Sequence, residues 1–203
     1  MRHVTIHAIP LALLVVSAAY AAEPTGGLTI VLEFQGPHSN RSIAEMEQEA
    51  QADLKDSGLS LNWTLRGDLN QSFPSDLVLV RFKGRCILDP GRYSEDEGGP
   101  LAFTYVTDGI VLPFSEVDCD RVTASVRSAM WGGDYENADT LLGRALGRVL
   151  VHELVHILAG DGMHGHTGIA KRALTGAELI SRSLELSPED LERISVDLNL
   201  KSR

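Results

Sequence analysis

Residues 141–168 read LLGRALGRVLVHELVHILAGDGMHGHTG, and both the fold and the chemistry of the chain turn on them. Leu142, Leu146, Val149, Leu150, Leu154, Ile157 and Leu158 recur at helical spacing and cover most of the circumference toward the end of the run. A helix that is apolar nearly all round is a central, buried one. Asp139 is placed to cap its start and Gly160 to stop it, which predicts a helix over 138–159. His152, Glu153 and His156 are set into this apolar helix, and His164 and His166 follow the glycine break.

On a helix, residues four apart are separated by about 40° of rotation and one turn of rise, so the imidazoles of His152 and His156 point the same way. Two nitrogens so placed suit one tetrahedral zinc ion. Glu153 lies about 100° round the axis, where it addresses a water on the metal without taking a ligand position. Burying two histidines and a glutamate with no metal costs on the order of several kcal/mol in lost hydration. A bound cation removes that objection.

Upstream, strand and helix signals alternate. GLTIVLEF at 27–34 is β-branched and apolar, a strand. SIAEMEQEAQADLKDSG at 42–58 offers Ser42 as a cap, Glu45 three residues on and Gly58 as an end, a helix. LSLNWTLRG puts Leu59, Leu61, Trp63 and Leu65 on one face, a half-buried strand; SDLVLVRFKGRC reads as another, more fully buried. LDPGRYSEDEGGP is a surface loop. LAFTYVTDGIVLPFSEV reads as two short strands around the turn dipeptide Asp108-Gly109, and Pro113 predicts that the second lies at an edge or ends early. A helix follows in CDRVTASVRSAMW. Beyond Gly160, AKRALTGAELISRSLELSPEDLERI gives one or two shorter helices, with Ser187-Pro188 as a start signal. The fold class is α+β: a mixed, twisted sheet of four to five strands, a central helix and a small helical C-terminal part.

The 203 residues, 43% hydrophobic and 23% charged, suit one domain with a real core. MRHVTIHAIPLALLVVSAAYAA has a basic start, a short apolar run and small residues, which predicts a secretory signal over 1–21 and a single domain over 22–203. The apolar run is too short to span a bilayer comfortably, and no later stretch is long enough. Without residues 1–21 the chain carries 17 basic and 28 acidic side chains, which argues against nucleic acid and anionic membrane as partners. In an exported chain the pair Cys86 and Cys119 reads as a disulfide, with two buried free thiols as the alternative. Their spacing lacks the C-x-x-C signature of a zinc site.

HELVH at 152–156 resembles the signature of the zincin metallopeptidases, HExxH on a central helix preceded by a mixed sheet and a backing helix. The likeness extends over about 28–159 as an order of elements. It implies a zincin-like fold, with an upper subdomain over 22–159 that carries the active-site helix and a small lower subdomain over 160–203. It implies zinc (Zn2+) held by His152 and His156, with Glu153 as the catalytic base. It also implies a peptide or protein substrate laid along an edge strand, AFTYV or GIVLPF.

A third ligand stays open among His164, His166 and Glu178. The metzincin branch uses HExxHxxGxxH; here Ala159 occupies the glycine position, Gly162 stands where the last histidine would be, and His164 comes two residues later. No methionine follows Met163, so the methionine turn of that branch is missing. Glu178 is the gluzincin-style alternative, although Arg182 replaces the acid of that branch's E-x-x-x-D. His166 and Lys171 are the candidates for stabilising an oxyanion. The expected function is an exported zinc metallopeptidase that hydrolyses peptide bonds through a zinc-bound water activated by Glu153. The alternatives are a non-catalytic secreted zinc-binding protein of the same fold and a hydrolase of non-peptide amides. If both His164 and His166 reached the metal, no place would remain for water and the binding protein would be favoured.

Overall fold

A computed structural model describes residues 26–69, 76–90, 98–132 and 134–201. The expected export signal over 1–21 and most of the acidic loop, 91–97, lie outside the described residues. Strand β1 spans Gly26–Phe34, helix α1 Asn40–Asp53, β2 Leu59–Leu65, β3 Leu77–Lys83, β4 Ala102–Thr107 and β5 Ile110–Asp118. Helices α2 (Cys119–Ala129), α3 (Ala138–Ala159), α4 (Gly176–Ile180) and α5 (Pro188–Lys201) follow.

The strands form one five-stranded mixed sheet in the order β2-β1-β3-β5-β4, so the fold is α+β. All neighbours run parallel except β4, which is antiparallel to β5. The first parallel pair requires a crossover, and α1 supplies it. The hairpin joining β4 to β5 turns at Asp108 (φ 50°) and Gly109 (φ 78°), the positive pair that a tight hairpin turn demands.

Alternation sends Leu28, Ile30 and Leu32 of β1 and Val78, Val80 and Phe82 of β3 into one core with α1 and α3. The opposite face of β3 is only half-buried, so this strand alternates where the sequence suggested fuller burial. That face carries a cross-strand ladder: Glu33 pairs with Arg81 at 2.8 Å, and Glu116 with Lys83 at 2.9 Å. Helices cover the sheet on the apolar side, and there α1 lies tightly along α3. A Cβ at Gly143 would stand 2.4 Å from the Cβ of Glu45, and one at Gly147 2.8 Å from that of Glu49. Only glycine permits this approach.

Three local expectations shift. Helix α1 begins at Asn40 and is capped by Ser39, not Ser42. Ser42 is buried instead and donates to Asp139 at 2.8 Å, while Glu45 accepts from Thr140 at 3.4 Å. Asp139 therefore serves the α1–α3 contact rather than capping α3, whose first turn carries no side-chain cap. Pro113 lies in a strand that is internal, between β3 and β4. The register with β4 breaks between Thr104 and Val106, and pairing with β3 begins only at Phe114, so the missing N–H falls in the irregularity.

Cys86 and Cys119 are bonded, with Cα atoms 4.9 Å apart, and join the end of β3 to the start of α2. The C-terminal part is tied to α3 by two arginines. Arg148, 1% exposed, donates to Glu178 O at 2.7 Å and pairs with Glu49 at 2.9 Å. Arg144 donates to Ile180 O at 3.0 Å. Ser187 accepts from Asp190 N at 3.2 Å and starts α5 at Pro188. Among the described residues no helix is long and apolar enough to cross a membrane.

Candidate metal centre and cleft

The end of α3 carries His152, Glu153 and His156 to the floor of a cavity of about 600 Å³. Ala102, Phe103, Thr104 and Val106 of β4 form its upper wall, and the segment containing Lys171 and Leu174 forms the lower one. Gly160 ends α3 in the left-handed conformation (φ 65°) with its N–H on His156 O. The chain then turns back, and His164 joins the helix pair. The ligand atoms of His152, His156 and His164 all lie within 4.8 Å of one another.

The tautomers of the helix pair follow from their partners. His152 Nδ1 is 2.9 Å from Ile169 O, and His156 Nδ1 is 3.0 Å from Asp161 O. A carbonyl only accepts, so each Nδ1 carries the proton and each Nε2 is left bare. Those two bare nitrogens face each other at 3.2 Å. Two lone pairs so close repel, and a cation between them turns the repulsion into ligation. Three imidazole nitrogens are a donor set that zinc accepts with a fourth place left for water or substrate.

Loss of hydration disfavours the charged form of these rings. His152 is pushed down to about 4, chiefly by loss of hydration, with the hydrogen bond to Ile169 opposing. His156 is lowered for the same first reason. His164 is lowered by partial desolvation and then by the charges of Arg172 and Arg193.

Glu153 is buried beside them, 5% exposed. Burial raises its carboxyl to about 7, and a hydrogen bond from Thr104 partly offsets that. Thr104 Oγ1 donates to Glu153 Oε2 at 2.7 Å, and Ser115 Oγ lies 2.7 Å from Thr104 Oγ1. With the threonine proton spent on the carboxylate, Ser115 donates to Thr104. This chain fixes one carboxylate oxygen from the edge strand. The sequence reading missed it, yet the i, i+2 alternation of β4 placed Thr104 on the same face as Ala102.

The remaining candidates lie elsewhere. His166 is exposed and outside the histidine cluster. Glu178 is also outside it, ion-paired to Lys171 and closing a capping box with Thr175. The Lys171 ammonium, then the Thr175 donors, hold Glu178 down at about 2. Neither of the two alternative third ligands therefore joins the helix pair. Lys171 does line the cavity, although its charge is engaged by Glu178. Of the two strands suggested for substrate, AFTYV lies at an edge of the sheet among the described residues and GIVLPF is internal.

No protein-family model matches the chain, and no curated protein matches it either.

Proposed function

We propose that the chain is an exported zinc metallopeptidase of the zincin type. The observation that carries this reading is the pair of deprotonated Nε2 atoms 3.2 Å apart with His164 beside them. Among the described residues the cluster holds three donors, and His166 stands apart, so a fourth position stays open for chemistry. The Cys86–Cys119 bond suits an oxidising compartment.

His152, His156 and His164 would hold the metal. A zinc ion in such a set supplies Lewis acidity, polarising a carbonyl and bringing the pKa of water toward neutrality. Glu153 accepts the proton of the attacking water and returns it to the leaving amine. In the metal-free chain burial raises its carboxyl, so the protonated form is accessible to a group that takes and gives back one proton. Thr104 holds Oε2 and thereby sets the direction of the other oxygen. The edge of the sheet at β4 above the cleft offers backbone donors and acceptors to an extended peptide, which would add as a sixth strand.

The test is digestion of a mixed peptide pool by the zinc-loaded chain, read as new termini by mass spectrometry, beside Glu153→Gln. Cleavage is expected to fall by at least about 100-fold in the variant while its zinc is retained. A zinc-loaded wild type that cleaves nothing would leave the non-catalytic zinc-binding protein as the better reading.

A further inference from the structure

Among the described residues, the ring contacts of His164 are with the other two imidazoles themselves. His164 is exposed, it sits on a segment with no regular structure, and no hydrogen bond to its ring occurs among the described residues. The residues before it, in contrast, are fastened to helix α5, while Gly165 after it bonds Ala170 O through its N–H at 2.9 Å and packs against that helix. On the N-terminal side, Arg193 donates to Asp161 Oδ1 at 2.6 Å and to Met163 O at 3.2 Å. Asp161 Oδ1 also accepts from Met163 N at 2.9 Å, so side chain and backbone close into one turn. On the C-terminal side, Gly165 presses against the carboxylate of Asp190, where a Cβ would stand 2.9 Å from Oδ2. Asp190 is itself fixed: 1% exposed, it accepts from Arg193 at 2.9 Å and from Ser187 Oγ at 2.7 Å.

We infer that Arg193, braced by Asp190, is the positioning residue that delivers the third imidazole to the metal centre. The inference rests on the metal-centre reading above. One guanidinium spans the turn before His164, and its buried partner backs the residue after it, so the backbone that carries the ring is held beside the helix pair. The same turn presents Asp161 O to His156 Nδ1, so Arg193 also steadies the carbonyl that sets the second ligand's tautomer. The planar fork matters, since three acceptors, Asp161 Oδ1, Met163 O and Asp190 Oδ1, are engaged from fixed directions and a lysine reaches them only as a point charge.

Cobalt(II) replaces zinc for the test, because its visible absorption reports coordination number and donor set directly. The full chain and Arg193→Ala are loaded with cobalt and titrated with a competing chelator. Affinity is expected to fall by about 10- to 100-fold, the usual effect of losing an outer-shell partner, and the spectrum to move toward that of His164→Ala. Arg193→Lys should recover part of both. Arg144→Ala is the control for general loosening of the C-terminal part, since Arg144 bonds Ile180 O but does not touch the loop, and its spectrum should match wild type. Should Arg193→Ala not fold, Gly165→Ala probes the same contact with Arg193 in place and should shift the spectrum in the same direction. Wild-type affinity and spectrum in a folded Arg193→Ala, or in Gly165→Ala, overturn the inference. Failure of the wild type to bind cobalt overturns the metal centre as well. A chain that binds cobalt through this clamp but cleaves no peptide loses only the peptidase reading.

Discussion

Two regions bring imidazoles to one point by different means. Helix α3 places His152 and His156 through its own pitch, inside a core where Leu150 and Leu154 have no exposed surface. The loop after Gly160 delivers His164 from an exposed stretch whose shape is borrowed from α5, more than twenty residues on. The first imidazole pair comes with its helix; the third imidazole is added by tertiary contacts. Where a site combines both, the helix sets the location of the centre and the loop sets its completeness.

The largest contrast should appear in stability. Leu150→Ala removes a fully buried side chain from α3 and is expected to cost the metal-free protein about 2–5 kcal/mol. Met163→Ala on the exposed loop is expected to stay within about 0.5 kcal/mol. Urea denaturation of both variants decides the matter, and equal costs would erase the distinction between scaffold helix and loop.

A smaller effect sharpens the picture of how the rings are prepared. The folded-state pKa of His152, at about 4, lies below the usual value, and His156 and His164 are lowered too. Unfolding therefore takes up protons as pH falls. The metal-free fold has its full histidine-linked stability above about pH 6.5 and loses it toward pH 4. At pH 6.5 three ordinary imidazoles would release about 1.5 protons on binding zinc. Here all three rings are shifted toward the neutral form, and release of fewer protons than that is expected, measured by calorimetric titration in buffers of different ionisation enthalpy. Release of about 1.5 protons or more would mean that the rings are hydrated like surface histidines.

What could be read from the sequence divides along the same line. The helix over 138–159, the strand and helix order before it and the Asp108-Gly109 turn are each dictated within a few neighbouring residues, and each is present. The cap on α1 slipped because Ser39 and Ser42 both satisfy the local rule. Ser42 is claimed by Asp139, 97 positions away, which no local pattern reveals. Pro113 pointed to an edge, but a register break can hide a missing N–H inside a sheet just as well. Gly143 and Gly147 are where α1 comes close, a long-range contact that no local pattern reveals. In the site, His152, Glu153 and His156 were legible from spacing alone. Spacing leaves the third member of the cluster open among His164, His166 and Glu178, because the path of the loop depends on contacts with Arg193 and Asp190, which carry no signal near the histidines. Thr104 was invisible for the same reason, since its hydrogen bond to Glu153 spans 49 positions.

Underneath both regions lies one claim: His152, His156 and His164 share a single ion. Metal analysis of the purified chain after dialysis against a weak chelator, beside His164→Ala and His166→Ala, tests it most directly. The expected result is about one zinc per chain in the wild type and in His166→Ala, and well below one in His164→Ala. Full zinc in His164→Ala, or zinc lost from His166→Ala, would contradict it.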